Sequence, residues 1–348
     1  MHVTIHPYST RRKGRATRLT CYETLKLPAL RSVWLLSIVP AFVFSCISPE
    51  ESVPDRKQTQ IYITKAEKTT LEGLDLFFFY PEEPMKLDSY QHFGGVDARF
   101  GLLHGGSTEG ERRVAAVANL PEGALPPDGV LSFRNLSSQL SRFGDEDPAS
   151  PVMTGAAPVV AGSDPRCEVR LRPLLVRIGV HTLCCDFHGR PYEDALLEDV
   201  RIYLTYVKAS APLFDEKGGE GWINEGGLSE SDLSRLAHPE TVLREIKGPV
   251  GETVLKSDIN LFCYPNGTSE EDLANRWTRL VIEGKLEGET CYYPVVLGPV
   301  EAGTEHIFDF VITRRGTSGP DIPADSRMIR IRSRLVPWQE TDPKTETY

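Results

Sequence analysis

The sequence of 348 residues lacks the short motifs that usually carry catalysis. It contains neither the G-x-x-x-x-G-K-[ST] nor the G-x-G-x-x-G phosphate-binding pattern, and neither a G-x-S-x-G nucleophile elbow nor an H-E-x-x-H zinc motif. Serines and histidines are present, but no pattern pairs them as nucleophile and base. The sequence therefore predicts a protein that is not an enzyme and that needs no cofactor and no metal.

An excess of positive charge is also absent. The chain has 49 acidic and 39 basic residues and a formal net charge of −10. Seven of the basic residues and one acidic residue, Glu23, precede Cys46, so from Cys46 onward the formal net charge is −16. Because binding to a phosphate backbone needs a basic surface, nucleic acid is excluded as a partner.

The apolar run of residues 32–44 (SVWLLSIVPAFVF) is too short to cross a membrane as a helix, which takes about 20 residues. It follows a basic stretch and ends at Ser45 and Cys46, an arrangement typical of a secretory signal. The ending VFSC resembles a lipobox, in which the cysteine becomes the first mature residue and carries acyl chains. We therefore expect residues 1–45 to be a lipoprotein signal peptide and Cys46 to be the site of lipid attachment. The alternative is an uncleaved anchor or a buried apolar helix.

Cysteine is too sparse for a disulfide framework. Apart from Cys21 and Cys46, five cysteines remain, and an odd number leaves at least one of them unpaired. Cys263 and Cys291 either form a bridge in an oxidising compartment or act as small buried hydrophobes.

The residues His181, Cys184, Cys185 and His188 are of the types that bind zinc. They continue an apolar strand, however, and successive side chains of a strand point to opposite faces. We expect His181 and Cys185 on one face and Cys184 and His188 on the other, so that four ligands do not converge. The acidic triplet of residues 145–147 lacks the ligand spacing of a calcium loop. Neither cluster is predicted to bind a metal.

Helical periodicity is scarce from Cys46 onward, where short apolar or alternating runs are separated by Gly, Pro, Asn and Asp. This pattern is typical of sandwiches and barrels and predicts an all-β fold. Residues 136–143 and 229–236 are predicted as short connecting helices. Strands are predicted at residues 60–64, 74–80, 113–118, 167–171, 174–184, 199–207, 259–264, 279–283, 291–297, 306–313 and 328–336.

A glycine-rich, acidic stretch at residues 214–227 is typical of a linker or a long loop. We therefore predict two tandem β-sandwich domains, at residues 46–213 and 214–348, each with enough strands for one sandwich. Their strands are predicted to be antiparallel and half-buried, because apolar and polar residues alternate along runs such as 200–207 and 328–335.

Several stretches of the chain, in this order, resemble the fimbrillin family of Bacteroidales type V pili. The resemblance spans about residues 46–340 and is carried by short strand-forming segments and the turns between them. These segments are residues 74–80 (LDLFFFY), 87–91 (LDSYQ), 114–120 (VAAVANL), 151–155 (PVMTG), 169–178 (VRLRPLLVRI), 280–284 (LVIEG), 292–294 (YYP), 310–314 (FVITR), 319–323 (GPDIP) and 336–338 (VPW).

The resemblance implies two transthyretin-like antiparallel β-sandwiches and delivery to the outer membrane as a lipoprotein. It implies polymerisation by donor-strand exchange, in which an arginine-specific or trypsin-like protease removes the N-terminal strand and a neighbour's strand fills the groove. The expected function is a non-enzymatic structural, tip or accessory subunit of a fimbrium on the cell surface. The implied partners are other fimbrial subunits, the outer membrane through the acyl chains on Cys46, and surface ligands of host or bacterial cells.

The displaceable strand is predicted at Gln60, Ile61, Tyr62, Ile63 and Thr64. The candidate cleavage sites around it are Arg56, Lys65 and Lys68. Cleavage at Arg56 releases the lipid but leaves the strand in place. Removal of the strand requires cleavage after Lys65 or Lys68.

Two alternative functions stay open. One is a fimbrium anchoring subunit that keeps its lipid, although the second cysteine usual in that group is absent after Cys46. The other is a glycan-binding lipoprotein, although Trp222, Trp277 and Trp338 are scattered along the sequence. The polar tail, residues 339–348 (QETDPKTETY), is a poor donor strand and favours the tip or base of a fimbrium over its stalk.

Overall fold

The computed structural model describes residues 55–65, 71–94, 102–121, 123–125, 129–162, 166–214, 219–268 and 276–338. Within these ranges the chain forms twenty β-strands and two short α-helices. The strands are β1 (Lys57–Thr64), β2 (Gly73–Phe79), β3 (Leu87–Gly94), β4 (Leu102–Ser107), β5 (Gly110–Ala118), β6 (Leu140–Arg142), β7 (Met153–Ala161), β8 (Arg166–Arg170), β9 (Arg172–Pro173), β10 (Val176–Cys185), β11 (Leu197–Thr205), β12 (Val207–Lys208), β13 (Ser210–Pro212), β14 (Trp222–Ile223), β15 (Leu243–Glu245), β16 (Leu255–Cys263), β17 (Arg279–Leu286), β18 (Glu289–Val296), β19 (Thr304–Ile312) and β20 (Ile329–Pro337). The helices are α1 (Phe133–Ser137) and α2 (Glu230–Leu233).

The first part of the chain forms two packed sheets. Sheet 1 has the strand order β4-β1-β8, and sheet 2 has the order β3-β2-β5-β7-β9. Their shared core contains Ile61 and Val169 from sheet 1 and Leu76 and Phe78 from sheet 2. Phe77 belongs to the larger core on the opposite face, so β2 is buried on both sides.

The second part of the chain forms two further sheets. Sheet 3 has the order β16-β10-β19-β20, and sheet 4 has the order β15-β11-β17-β18. Their core includes Ile178 and Phe310 from sheet 3 and Ile202 and Ile282 from sheet 4. Two pairings among the described strands are parallel, β1 with β8 and β10 with β19, and the others are antiparallel. The prediction of an all-β fold with a few short helices is confirmed.

The chain passes from sheets 1 and 2 to sheets 3 and 4 well before the predicted domain boundary. All strands of sheets 1 and 2 end by Pro173, whereas β10, which begins at Val176, already pairs with β16 and β19. Part of the predicted linker is strand β14, which pairs with β12. The division into two domains at residue 213 stays a prediction, but strands on both sides of that position share sheets 3 and 4.

Serine side chains cap both helices: α1 begins at Phe133, three residues before its predicted start, and α2 begins at Glu230, one residue after its predicted start. The Ser132 hydroxyl accepts a hydrogen bond from the backbone N–H of Asn135, and α1 ends before Leu140 instead of continuing to residue 143. Ser229 caps α2 in the same way through the N–H of Asp232. No helix in the described ranges is both long and apolar enough to span a bilayer.

A bulge in β10 overturns the predicted faces of the His/Cys cluster. The pairing register with β19 shifts between Val180 and Thr182, so the strand carries an extra residue at His181. Beyond the bulge, Cys185 lies opposite the buried Ile312 and is itself buried, whereas His181 is exposed. His181 and Cys185 therefore do not share a face, because one inserted residue reverses the alternation.

Candidate functional site

Strand β1 is the central strand of sheet 1. It pairs antiparallel with β4, Gln60 lying opposite His104, and parallel with β8, Ile61 lying opposite Cys167. Its side chains alternate: Thr59, Ile61 and Ile63 are buried, and Tyr62 is exposed. The predicted residues Gln60, Ile61, Tyr62, Ile63 and Thr64 all lie in β1, which begins three residues earlier than predicted. The first strand that the structure describes thus lies between two later strands.

The slot that holds β1, here called the β1 groove, has an apolar floor. Leu74, Leu76 and Phe78 of β2 are fully buried and belong to the same core as Ile61 and Ile63. Burial of an isoleucine side chain contributes about 1.5–3 kcal/mol. The two isoleucines are therefore the main apolar contribution of β1 to this core.

The walls of the β1 groove are the two strands that flank β1, β4 and β8. Gly105 of the β4 wall allows this packing. A Cβ atom at Gly105 would lie 2.4 Å from Cζ of Phe78 and 3.1 Å from Cδ1 of Ile61. Phe78 is fully buried, so its ring cannot turn out into solvent to avoid the added atom. Only a residue without a side chain lets the ring and the strand meet here.

We expect Gly105→Ala to lower the free energy of unfolding by about 1–3 kcal/mol, because the added methyl overpacks the β1 groove. Urea unfolding followed by circular dichroism measures the change. Gly106→Ala is the matched control, since a Cβ there meets no atom closer than 3.9 Å. Equal unfolding midpoints for the two variants would contradict the conclusion that the β1 groove requires glycine at position 105.

The β4 wall is tied to sheet 2 without help from β1. The Ser89 hydroxyl donates to the carbonyl oxygen of Gly106 at 2.6 Å. The Asp88 carboxylate of β3 accepts hydrogen bonds from the hairpin between β4 and β5. The donors are the backbone N–H of Thr108 at 2.8 Å and Nε of Arg112 at 3.0 Å. The Asp88 and Arg112 side chains are buried, and the Arg112 guanidinium lies over the ring of Tyr80, 4.3 Å from its centroid.

The β8 wall is also attached to sheet 2. A Cβ atom at Gly155 of β7 would lie 2.3 Å from the carbonyl oxygen of Arg170, so glycine is what lets the backbones of β7 and β8 pass this closely. The Cys167 thiol contacts the carbonyl oxygen of Pro158 at 3.6 Å. Both walls of the groove therefore have contacts that do not involve β1.

The predicted cleavage sites lie on either side of β1. Arg56 is exposed and directly precedes it, and its side-chain carbons lie 3.9 Å from the position of a Cβ at Gly106. Lys65 directly follows β1 and is half-buried, and burial lowers the pKa of its ammonium group. The predicted site Lys68 and the predicted lipid-attachment site Cys46 lie outside the described residues.

The His/Cys cluster forms no metal site in the described part of the chain. Nδ1 of His181 lies 2.9 Å from Oδ1 of Asp309, which also accepts a hydrogen bond from Thr182 at 2.6 Å. These contacts lower the pKa of Asp309. Cys263 and Cys291 are both free thiols, so the bridge considered for them is not formed.

Glu146, the middle residue of the acidic triplet, is a buried acid that the sequence analysis did not predict. Glu146 is 3% exposed, and its carboxyl group contacts the Tyr264 hydroxyl at 2.6 Å, the Ser141 hydroxyl at 3.1 Å and the Val152 N–H at 3.2 Å. Burial outweighs these hydrogen bonds and raises the pKa of Glu146 to about 7.

A cleft of about 1200 Å³ lies beside β6, β13, β14 and α2 and was not predicted. Its lining includes Trp222, Arg142 and Asp232, which come from separate segments of the chain. Nζ of Lys208 lies 3.7 Å from the centroid of the Trp222 ring, so a cation already covers part of the only tryptophan among the residues lining this cleft. The cleft therefore adds no support for the glycan-binding alternative.

Comparison with known proteins identifies the fold. No family model matches the chain, and no curated protein matches it in sequence. Solved structures do match: a candidate cell adhesion protein of Bacteroides eggerthii, with 13% identity, a TM-score of 0.63 and coverage of 82% of this chain and 97% of that one. A candidate cell adhesion protein of Parabacteroides distasonis has 12% identity, a TM-score of 0.58 and coverage of 82% and 100%. A fimbrilin of Porphyromonas gingivalis has 12% identity, a TM-score of 0.57 and coverage of 81% and 97%. The chain has a fimbrillin-like fold, and that prediction is confirmed.

Proposed function

We propose that this chain is a non-enzymatic structural, tip or accessory subunit of a cell-surface fimbrium, assembled by donor-strand exchange at the β1 groove. The observation that carries the proposal is the central position of β1 between β4 and β8. A terminal strand in this position can be replaced by a strand from another subunit, because main-chain hydrogen bonds and alternate side-chain pockets accept any strand of suitable pattern.

Removal of β1 would leave two strand edges unpaired and the pockets of Thr59, Ile61 and Ile63 open. An open edge beside apolar surface drives association with another strand. The walls keep their contacts to sheet 2 through Asp88 and Gly155. The groove is therefore expected to keep its shape for an incoming strand.

The proposal includes delivery to the outer membrane by acyl chains on Cys46. Cleavage after Lys65 or Lys68 then cuts the link to the lipid, and displacement of β1 opens the groove. Cleavage at the exposed Arg56 frees the subunit and leaves the groove filled. We also propose that sheets 1 and 2 form one sandwich domain and sheets 3 and 4 the other.

The test is binding of the peptide KQTQIYITK, residues 57–65, before and after limited trypsin digestion of the chain that begins at Cys46. We expect a fluorescent form of the peptide to bind only after cleavage at Lys65 or Lys68, because only then can β1 dissociate and leave the groove. N-terminal sequencing identifies the cut. The matched control is the same peptide with aspartate in place of Ile61 and Ile63, which cannot fill the pockets.

A second control is the double variant Lys65→Gln and Lys68→Gln, which should keep β1 and bind no peptide after digestion. The proposal fails if the cut chain stays folded and binds neither peptide, or binds both equally. Protein purified from the cell surface should begin near residue 66 or 69. A start at an acylated Cys46 would instead support the anchoring subunit.

A further inference from the structure

Strand β20 is an edge strand that is exposed on both faces. In the described part of the chain it pairs with β19 alone. Of its nine residues, Ile329 is buried, and the residues from Arg330 to Pro337 are exposed or half-buried. An edge strand of a sandwich ordinarily packs one of its faces against the opposite sheet. Because both faces of β20 are exposed, this strand extends beyond the area that the opposite sheet covers.

The inner face of β20 carries exposed apolar side chains. Ile331 is 43% exposed and Leu335 is 63% exposed, although Ile331 lies opposite the fully buried Phe310. Beside them, the rings of Phe308 and Phe310 stack with centroids 5.5 Å apart. The apolar surface of sheet 3 therefore continues past its covered part along β20.

The outer face of β20 carries Arg330, Arg332 and Arg334 at every second position. Residues at this spacing lie about 7 Å apart along a strand. Arg330 pairs with Asp186, whereas Arg332 and Arg334 form no ion pair with any described residue. Asp309, which lies opposite Arg332, accepts a hydrogen bond from Thr182 and contacts His181, and the charge of Arg334 acts on it from a longer distance.

We propose that the free edge of β20 binds an extended acidic segment of a partner protein, which adds to sheet 3 as a further strand. Such a segment alternates acidic residues, which face Arg332 and Arg334, with apolar residues, which cover Ile331 and Leu335. Charge complementarity selects this occupant, because the row of arginines stands on a chain whose formal net charge is −10. The backbone of β20 supplies the remaining hydrogen bonds.

Charged edge residues also protect sheets from unwanted pairing. That role alone does not account for β20. An edge that is protected against pairing would have its apolar side chains buried, whereas Leu335 is among the more exposed apolar residues of the described chain. The β20 edge is separate from the β1 groove, which belongs to sheet 1. Failure of one proposal therefore leaves the other standing.

The test uses the intact chain from Cys46 and a nine-residue peptide that alternates glutamate with valine. We expect binding by fluorescence anisotropy, with slower hydrogen exchange of the β20 amides. The double variant Arg332→Glu and Arg334→Glu should weaken binding about tenfold or more at low salt, because charge reversal replaces attraction by repulsion. The control pair Arg134→Glu and Arg235→Glu makes the same change in net charge at exposed positions elsewhere and should leave binding unchanged.

A second variant, Ile331→Ser with Leu335→Ser, should weaken binding without removing charge. A peptide with lysine in place of glutamate should not bind. The proposal is overturned if the glutamate peptide does not bind, or if both arginine pairs affect it equally. It is also overturned if a chain ending at Trp338 binds the peptide several-fold more tightly than the full chain, since the tail would then be the occupant. Dimerisation that depends on Arg332 and Arg334 in analytical ultracentrifugation would likewise overturn it in favour of a second copy.

Discussion

Replacing Asp88 by alanine is expected to lower the free energy of unfolding by about 3–5 kcal/mol, the largest loss we foresee for a single side chain. The substitution removes the carboxylate that accepts from Arg112 and from the N–H of Thr108. The guanidinium group then stays buried without its counter-charge, which costs more than the ion pair itself contributes. Urea unfolding measures the loss, and hydrogen exchange should localise it to β4 and the following hairpin.

Two controls test whether the loss of stability arises because the Asp88–Arg112 ion pair is buried. Glu168→Ala breaks an exposed pair with Arg170 and should cost less than about 1 kcal/mol. The double variant Asp88→Ala and Arg112→Met removes both charges and should recover part of the stability lost by Asp88→Ala. A loss from Asp88→Ala no greater than that from Glu168→Ala would show that the pair does not hold the wall of the β1 groove.

The stability of the protein should also depend on pH through Glu146. Burial raises its pKa in the folded chain to about 7, above its ordinary value of 4.5. As the pH rises from about 4.5 to 7, the unfolded chain loses this proton while the folded chain retains it, so the free energy of unfolding falls by about 3 kcal/mol. Below this window the contribution is fully present, and above it the contribution is lost.

The variant Glu146→Gln isolates this effect because an amide stays neutral throughout. The difference in unfolding free energy, variant minus wild type, should rise by about 3 kcal/mol between pH 4.5 and 8. Glu225→Gln makes the same chemical change at an exposed residue and serves as the control. Parallel curves for Glu146→Gln and wild type would rule out a raised pKa for this carboxyl group.

The sequence predicted features that depend on neighbours in the chain. The short apolar run around Ile61, Tyr62 and Ile63 predicted a strand here, because a strand can be recognised from its local sequence pattern. It could not place β1 between β4 and β8, since that position depends on the pairing of Gln60 with His104 and Arg166, which are far away in sequence.

Other misses have local causes that alternation does not reveal. The bulge at His181 shifted the faces of β10, and a bulge depends on the register of a partner strand. The alternation in β20 was predicted, but the prediction that its apolar face is buried was wrong, since Ile331 and Leu335 are exposed. Whether a strand lies at the edge of a sheet depends on the whole fold and cannot be read from its own sequence. In β11, Tyr203 is buried as well as its neighbours Ile202 and Leu204, so both faces of this strand are covered here and the predicted half-burial does not hold.

The parallel pairing of β1 with β8 has a consequence for the order of folding. Gln60 meets a partner, Arg166, more than a hundred positions later in the chain, and contacts of such long range form slowly because a large loop must close first. During that delay β1 is tethered to its own molecule at a high effective concentration. If the chain assembles by strand exchange as proposed, an attached β1 competes with the strands of other molecules for the β1 groove, and assembly waits until β1 is released.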